Sequence, residues 1–280
     1  MSLQLPDGMR MAVAITLDFD AHSPWMGTMN TTSPSALSRG DFGVEVGVPR
    51  LLELFRRLDI RTTWPTPGHD LVTFPAAIES VLAHGHEIAA HGAYHENIRA
   101  LSPERERELM ELQLSQHEKI VGKRPRGYRS PAWDFTDSTL GILEEAGFDW
   151  DSSLMGREFE PYHPRPVEVR YEQASTFGEP SRILEIPVSW FLDDLIAVEY
   201  LPGVSAGMGD HRAMFQRFRD VFTYAYQRVP GAVYTLTVHP QSIGRAHHIA
   251  AFEELLTHMR GMSGLWWPTL SDVYDAWTDE

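Results

Sequence analysis

Residues 11–20 read Met-Ala-Val-Ala-Ile-Thr-Leu-Asp-Phe-Asp, an apolar run that ends in two aspartates separated by one phenylalanine. A run of this length bounded by polar residues reads as a short buried strand. On an extended backbone alternate side chains share a face, so Asp18 and Asp20 point the same way where the strand ends. Two like charges on one face call for a compensating cation, or for a turn in which one of them is solvated, and this segment alone leaves both open.

Outward from that strand, similar apolar runs recur at residues 61–64, 87–90, 148–151, 183–188 and 233–238. Between them the apolar positions take helical spacing at 48–58, 74–83, 137–146, 211–228, 246–260 and 271–277. Ser102-Pro103-Glu104-Arg105 opens one more helix, long and charged, with serine as the N-cap and proline in the first helical position. Alternating strands and helices predict parallel strands joined by crossover helices, and a count near seven suits a closed barrel better than an open doubly wound sheet. Residues 22–47, rich in Ser, Thr, Gly and Met, read as a loop, and no repeat or linker divides the chain, so one domain over residues 1–280 is expected.

Composition narrows the chemistry. A chain of 280 residues with 42% hydrophobic content can bury a substantial core. A formal charge of -15 would repel a polyanion, which argues against nucleic acid as a partner. With no cysteine there is no disulfide, no thiolate ligand and no thiol nucleophile, so any metal would be held by histidine and carboxylate. The first residues lack the basic start, apolar stretch and small-residue cleavage site of a secretory signal, which points to the cytoplasm. No apolar run approaches the roughly 20 residues that span a bilayer, so no membrane partner is expected.

In parallel α/β folds the working residues collect where strands end. After the run at 87–90 come His91 and His95, four residues apart and on one face if the segment is a helical turn. Two imidazoles and one carboxylate match the three protein ligands of an open catalytic metal site, although ordinary surface histidines take the same spacing in a chain that has 13 of them. His84 and His86 flank Gly85 at a helix end, where histidine meets free carbonyls more often than metal. The run at 233–238 delivers His239 to the same end of a barrel.

Taken in order, Thr16-Leu17-Asp18-Phe19-Asp20, His91-Gly92-Ala93-Tyr94-His95-Glu96, Arg129-Ser130-Pro131-Ala132-Trp133 and Leu236-Thr237-Val238-His239-Pro240 resemble the motifs of the polysaccharide deacetylases, also called the NodB-homology superfamily or carbohydrate esterase family four. The resemblance spans most of the chain. It implies a distorted (β/α)7 barrel and a hydrolase of non-peptide amide bonds. It also implies that Asp20, His91 and His95 hold a divalent metal, zinc by default, and that Asp18 is the general base. Arg129 would pair with Asp18, and His239 would be the general acid, kept charged by an aspartate for which Asp151 is the candidate. The backbone N–H of Ala132 would help bind the oxyanion.

The phenylalanine between the two aspartates, residues 22–47 and the stretch Ser189-Trp190-Phe191-Leu192-Asp193-Asp194 resemble a cytoplasmic subgroup. That subgroup includes a peptidoglycan deacetylase, cyclic imide hydrolases and allantoin-type ureide amidohydrolases, some of them metal-free. The retained Asp20, His91 and His95 point to the metal-bound kind. Residues 22–47, if folded over the barrel mouth, would leave a small pocket near Trp25, Trp64, Trp133 and Trp190, with Trp133 and Trp190 as the substrate-contacting pair. The expected substrate is an N-acetylated sugar or, as the alternative, a cyclic imide or ureide; an inactive barrel that only binds a ligand is the third reading. Related small-substrate members commonly form tetramers, so the resemblance implies a homo-oligomer.

Overall fold

The computed structural model describes residues 2–278. Among them, a mostly parallel sheet curls into a distorted barrel made of β1 (Met11–Leu17), β2 (Thr63–Thr66), β3 (Glu87–Ala90), β4 (Gly127–Tyr128), β5 (Trp150–Asp151), β6 (Leu184–Glu185), β7 (Val233–Val238) and β8 (Leu265–Trp266). The order around the barrel is β7-β1-β2-β3-β4-β5-β6, all neighbours parallel. β1 is buried along its whole length, as a run that is apolar at every position but Thr16 requires. It pairs with β7 over six residues on one side, and on the other with β8 at Met11 and Ala12 and with β2 at Thr16.

The barrel is irregular because four of its strands, β4, β5, β6 and β8, are two residues long. β4 had no apolar run to mark it, and it begins at a glycine because any Cβ on Gly127 would lie 1.9 Å from the Trp150 ring. Between β6 and β7 the ring is closed by a parallel bridge from Asp193 to Thr237. That bridge carries the Asp193-Asp194 pair up to the end of β7, beside His239.

Helices cover the outside. They include α1 (Pro34–Phe42), α2 (Val48–Leu58), α3 (Pro75–Ala83), α4 (Pro103–Val121), α5 (Thr139–Ala146), α6 (His211–Arg228), α7 (Ala246–Arg260) and α8 (Leu270–Asp275). α2 buries Val48, Leu51, Leu52, Leu54 and Phe55 against the sheet and stops at Asp59, whose φ is +51°. Phe55 meets Phe252 of α7 edge-on, and Phe252 stacks on Phe215 of α6, so these three helices form one aromatic-centred layer. Each such buried aromatic contributes on the order of 2–3 kcal/mol.

The segment 22–47, read from sequence as a loop, contains α1 and a π-helical turn, Gly43–Gly47, that runs into α2. Ser33 caps α1 by accepting the Ala36 N–H, and Pro34 opens it, the same signal that starts α4 at Ser102-Pro103. At the other end, the helix expected over 271–277 stops at Asp275, and Trp277 and Thr278 form a strand with Ser2 and Leu3. Among the described residues no helix is long and apolar enough to cross a membrane.

Candidate active site

The end of β1 sets two carboxylates at the mouth. The ladder continues one step beyond Leu17, with the Asp18 N–H donating to Val238 O and the Phe19 N–H to Pro65 O. Phe19 therefore turns into the core while Asp18 and Asp20 both turn into the cavity, as their spacing predicts.

His91 and His95 follow β3 on a tight turn rather than a helix. Gly92 holds φ +74°, and a Cβ there would come within 2.6 Å of Pro131 Cγ; His95 itself sits at φ +55°. The Glu96 carboxylate accepts the N–H groups of Ala93 and Tyr94 and so clamps the turn. Each imidazole is then oriented through Nδ1. His91 Nδ1 lies 2.7 Å from Arg129 O, and His95 Nδ1 lies 2.6 Å from Thr28 Oγ1. Both Nε2 atoms face Asp20, at 3.3 Å for His91 and 3.8 Å for His95.

Asp20 is 1% exposed, and among the described residues neither of its carboxylate oxygens has a hydrogen-bond partner. A buried, unpartnered carboxylate is costly unless a cation completes it. Burial works to raise its pKa, but His95, His91 and His239 outweigh burial and hold the carboxyl well below the usual range. His91 is raised against the effect of burial by Asp20 and Asp18, whereas burial drives His95 down to about 4, leaving a neutral imidazole with a free lone pair. The donor set of one carboxylate and two imidazoles, with ligand atoms within 4.8 Å of one another, fits a divalent ion.

Asp18 lies beside this set and is held from behind. Arg129, fully buried, donates through Nη1 to Asp18 Oδ1 at 2.7 Å and to Thr16 Oγ1 at 2.8 Å, and its Nε and Nη2 donate to Ser152 O and Ser152 Oγ. The other Asp18 oxygen is 3.4 Å from Trp133 Nε1, 4.0 Å from His91 Nε2 and 3.9 Å from His239 Nε2. Ala132 and Trp133 both hold positive φ, at 52° and 53°. Two consecutive strained residues at a cavity wall are the kind of conformation found at binding and catalytic sites.

His239 stands on the opposite side with Nε2 3.5 Å from Asp20 Oδ2. Its partner is Asp194 and not Asp151, which corrects the expectation drawn from sequence. Asp194 Oδ1 lies 2.8 Å from His239 Nδ1, with Asp193 at 3.8 Å. Asp151 is instead on the far side of the sheet path, next to β6, where it accepts from Ser153 Oγ and adjoins Glu185. Burial raises Asp151 to about 6, and burial with the adjoining Asp151 pushes Glu185 well above its usual value. Burial disfavours the charged imidazole of His239, but Asp194, Asp193 and Asp20 outweigh it and push the group up to about 10.

The cavity over these groups has a volume of about 110 Å³. Its outer wall is apolar. Pro24 and Met29 come from the 22–47 segment, which does fold over the mouth, and Leu195, Ile196, Leu201 and Val204 from the segment after Asp194. Trp133 and Trp190 stack at 4.1 Å between centroids along one side. Trp64 and Trp25 do not line it: Trp64 is core, its Nε1 donating to Thr62 Oγ1, and Trp25 is buried beneath the Arg39 guanidinium. Sequence reasoning missed Asp194 and Thr28 as partners of His239 and His95. Two consecutive aspartates directly after an aromatic stretch were the available signal for the first; the second had none.

The family description "polysaccharide deacetylase" matches residues 29–150. The peptidoglycan deacetylase of Helicobacter pylori is 32% identical over 277 residues, covering 94% of this chain and 94% of that protein. A peptidoglycan deacetylase-like protein of Gibberella zeae is also 32% identical, over 92% of this chain and 83% of its own length. The crystal structure of a polysaccharide deacetylase-like protein from Mycobacterium smegmatis superposes with a TM-score of 0.86 at 30% identity, covering 98% of this chain and 93% of that one. The Puue allantoinase structure, at 22% identity, a TM-score of 0.80 and 98% and 92% coverage, shares the fold.

Proposed function

The chain belongs to the polysaccharide deacetylase family, whose members are hydrolases of non-peptide C–N bonds, and on that premise we propose that it is a metal-dependent amide hydrolase acting through Asp18 and His239. The observation that carries this reading is the buried Asp20 carboxylate, unpartnered between two imidazoles whose Nε2 atoms face it. Asp20, His91 and His95 would hold the ion, zinc by default for a His₂Asp set. When bound, such an ion polarises a carbonyl and lowers the pKa of water.

The remaining steps belong to the chain. Asp18, its charge fixed by Arg129 and its orientation by Arg129 and Trp133, takes the proton from the attacking water. The oxyanion of the tetrahedral intermediate is met at the wall formed by Ala132, whose backbone N–H is the donor proposed for it. His239, protonated through Asp194, gives a proton to the leaving nitrogen, without which an amine cannot depart. All of this takes place within one domain spanning the chain.

Two substrate classes fit. An N-acetylated sugar agrees with the peptidoglycan deacetylase relatives. A cyclic imide or ureide is favoured by a specific observation, the small cavity closed by Pro24, Met29, Leu195, Ile196, Leu201 and Val204, which leaves little room for a polymer. The test is hydrolysis by wild type and by Asp18→Asn, with products identified. Release of acetate from N-acetyl sugars assigns the first class and ring-opening without acetate the second. An undiminished rate in Asp18→Asn removes the catalytic assignment altogether and restores the reading of a binding barrel.

A further inference from the structure

A second cluster of imidazoles lies outside the cavity. His211 is the first residue of α6, and His247 and His248 lie in the first turn of α7. One ring nitrogen from each lies within 4.8 Å of the others. The rings are 3.9 Å apart for His247 and His248, 5.1 Å for His211 and His247, and 5.6 Å for His211 and His248. We propose that His211, His247 and His248 form a second, non-catalytic metal site that takes a divalent ion favouring imidazole, zinc or copper, and clamps α6 to α7.

Four observations support it. His248 is buried, and its Nδ1 lies 2.9 Å from Ser242 O, so Nδ1 carries the hydrogen and Nε2 keeps its lone pair, the arrangement of a metal-ligating histidine. The frame is rigid, because Phe215 of α6 stacks on Phe252 of α7 just below the cluster. His211 is half-buried and His247 exposed, which leaves open positions for water on the ion and freedom for His247 to rotate inward. Finally, the three imidazoles come from the first turns of two helices in contact with each other, so a single ion reaches from α6 to α7. Arg245, the residue that precedes α7, is engaged elsewhere, its guanidinium over the Phe42 ring at 3.6 Å and its Nε donating to Gln241 O. Because Ser242 follows His239 by three residues, an ion here would also brace the turn behind the proposed acid.

The test uses Zn²⁺ and Cu²⁺ alone, on full-length protein already carrying His91→Ala and His95→Ala, so that the cavity site is disabled. Calorimetric titration should still find one equivalent of Zn²⁺, and adding His247→Gln or His211→Gln should weaken it by at least tenfold to a hundredfold, roughly the loss that even an outer-sphere partner causes. Bound Cu²⁺ should give an electron paramagnetic resonance spectrum with coupling to three nitrogens, reduced to two in either variant. The metal-free melting temperature should match the parent's, since neither side chain is fully buried, and Zn²⁺ should raise it only in the parent. No Zn²⁺ binding in the disabled parent, or binding indifferent to both substitutions, overturns the proposal.

Discussion

A single oxygen of Asp194 serves His239 twice: Oδ1 accepts the backbone N–H at 3.0 Å and lies 2.8 Å from ring Nδ1. One carboxylate thus sets both where β7 ends and which tautomer the ring takes. In the proposed reaction the proton on Nε2 is delivered to the leaving nitrogen, and Asp194 is what keeps it there.

Asp194→Asn should therefore act on the pH profile as well as on the rate. The aspartate raises the imidazole pKa, to about 10 in concert with Asp193 and Asp20. Removing its charge lowers that pKa, so the alkaline limb of kcat/KM should move to lower pH while kcat falls about 10²–10⁴-fold, the range of general acid catalysis. Profiles of wild type and variant check this. An unmoved alkaline limb would mean that His239 is not the acid.

Arg129→Met should destabilise the fold and the rate together. It leaves Asp18 buried and uncompensated, a situation that costs about 3–5 kcal/mol. Urea unfolding should register that loss, and the double variant Asp18→Asn with Arg129→Met should recover part of it, because the uncompensated charge is gone. If the double variant is no more stable than Arg129→Met, the ion pair is not what Arg129 supplies.

Gly92→Ala tests the turn that carries the two histidines. At φ +74°, with Pro131 Cγ 2.6 Å from the added methyl, alanine should cost at least about 1 kcal/mol and displace His91 relative to His95. Metal affinity should then fall more than stability does, measured by competition with a chelating dye against thermal melting. A drop in stability with unchanged affinity would separate the turn from the ligand geometry.

The contrast between Asp20 and Asp194 marks how far the sequence was legible. Asp18 and Asp20 could be placed because a seven-residue strand has a fixed side-chain period, and parity put both in the cavity. The family resemblance added roles to these positions and to His91, His95, Arg129 and His239, and the structure brings all six to one end of the barrel. Asp194 could not be found that way. It follows a two-residue strand and a short 3-10 turn, and it reaches His239 only because Asp193 bridges to Thr237 where the barrel would otherwise gape. Asp151 is the candidate from sequence at the end of the run 148–151, but proximity in a barrel depends on strand neighbours that such short segments do not announce. Gly127–Tyr128 was missed for the same reason, and α1 because a run of Ser, Thr and Gly outweighed its Ser33-Pro34 start.

The most direct measurement is elemental analysis of protein carrying His211→Gln and His247→Gln, which removes the second cluster from the count, with and without His91→Ala and His95→Ala. The account predicts about one equivalent of a divalent metal in the first protein and essentially none in the second. Equal metal in both, or a first protein that neither contains nor takes up a divalent ion, would contradict the metal-dependent mechanism.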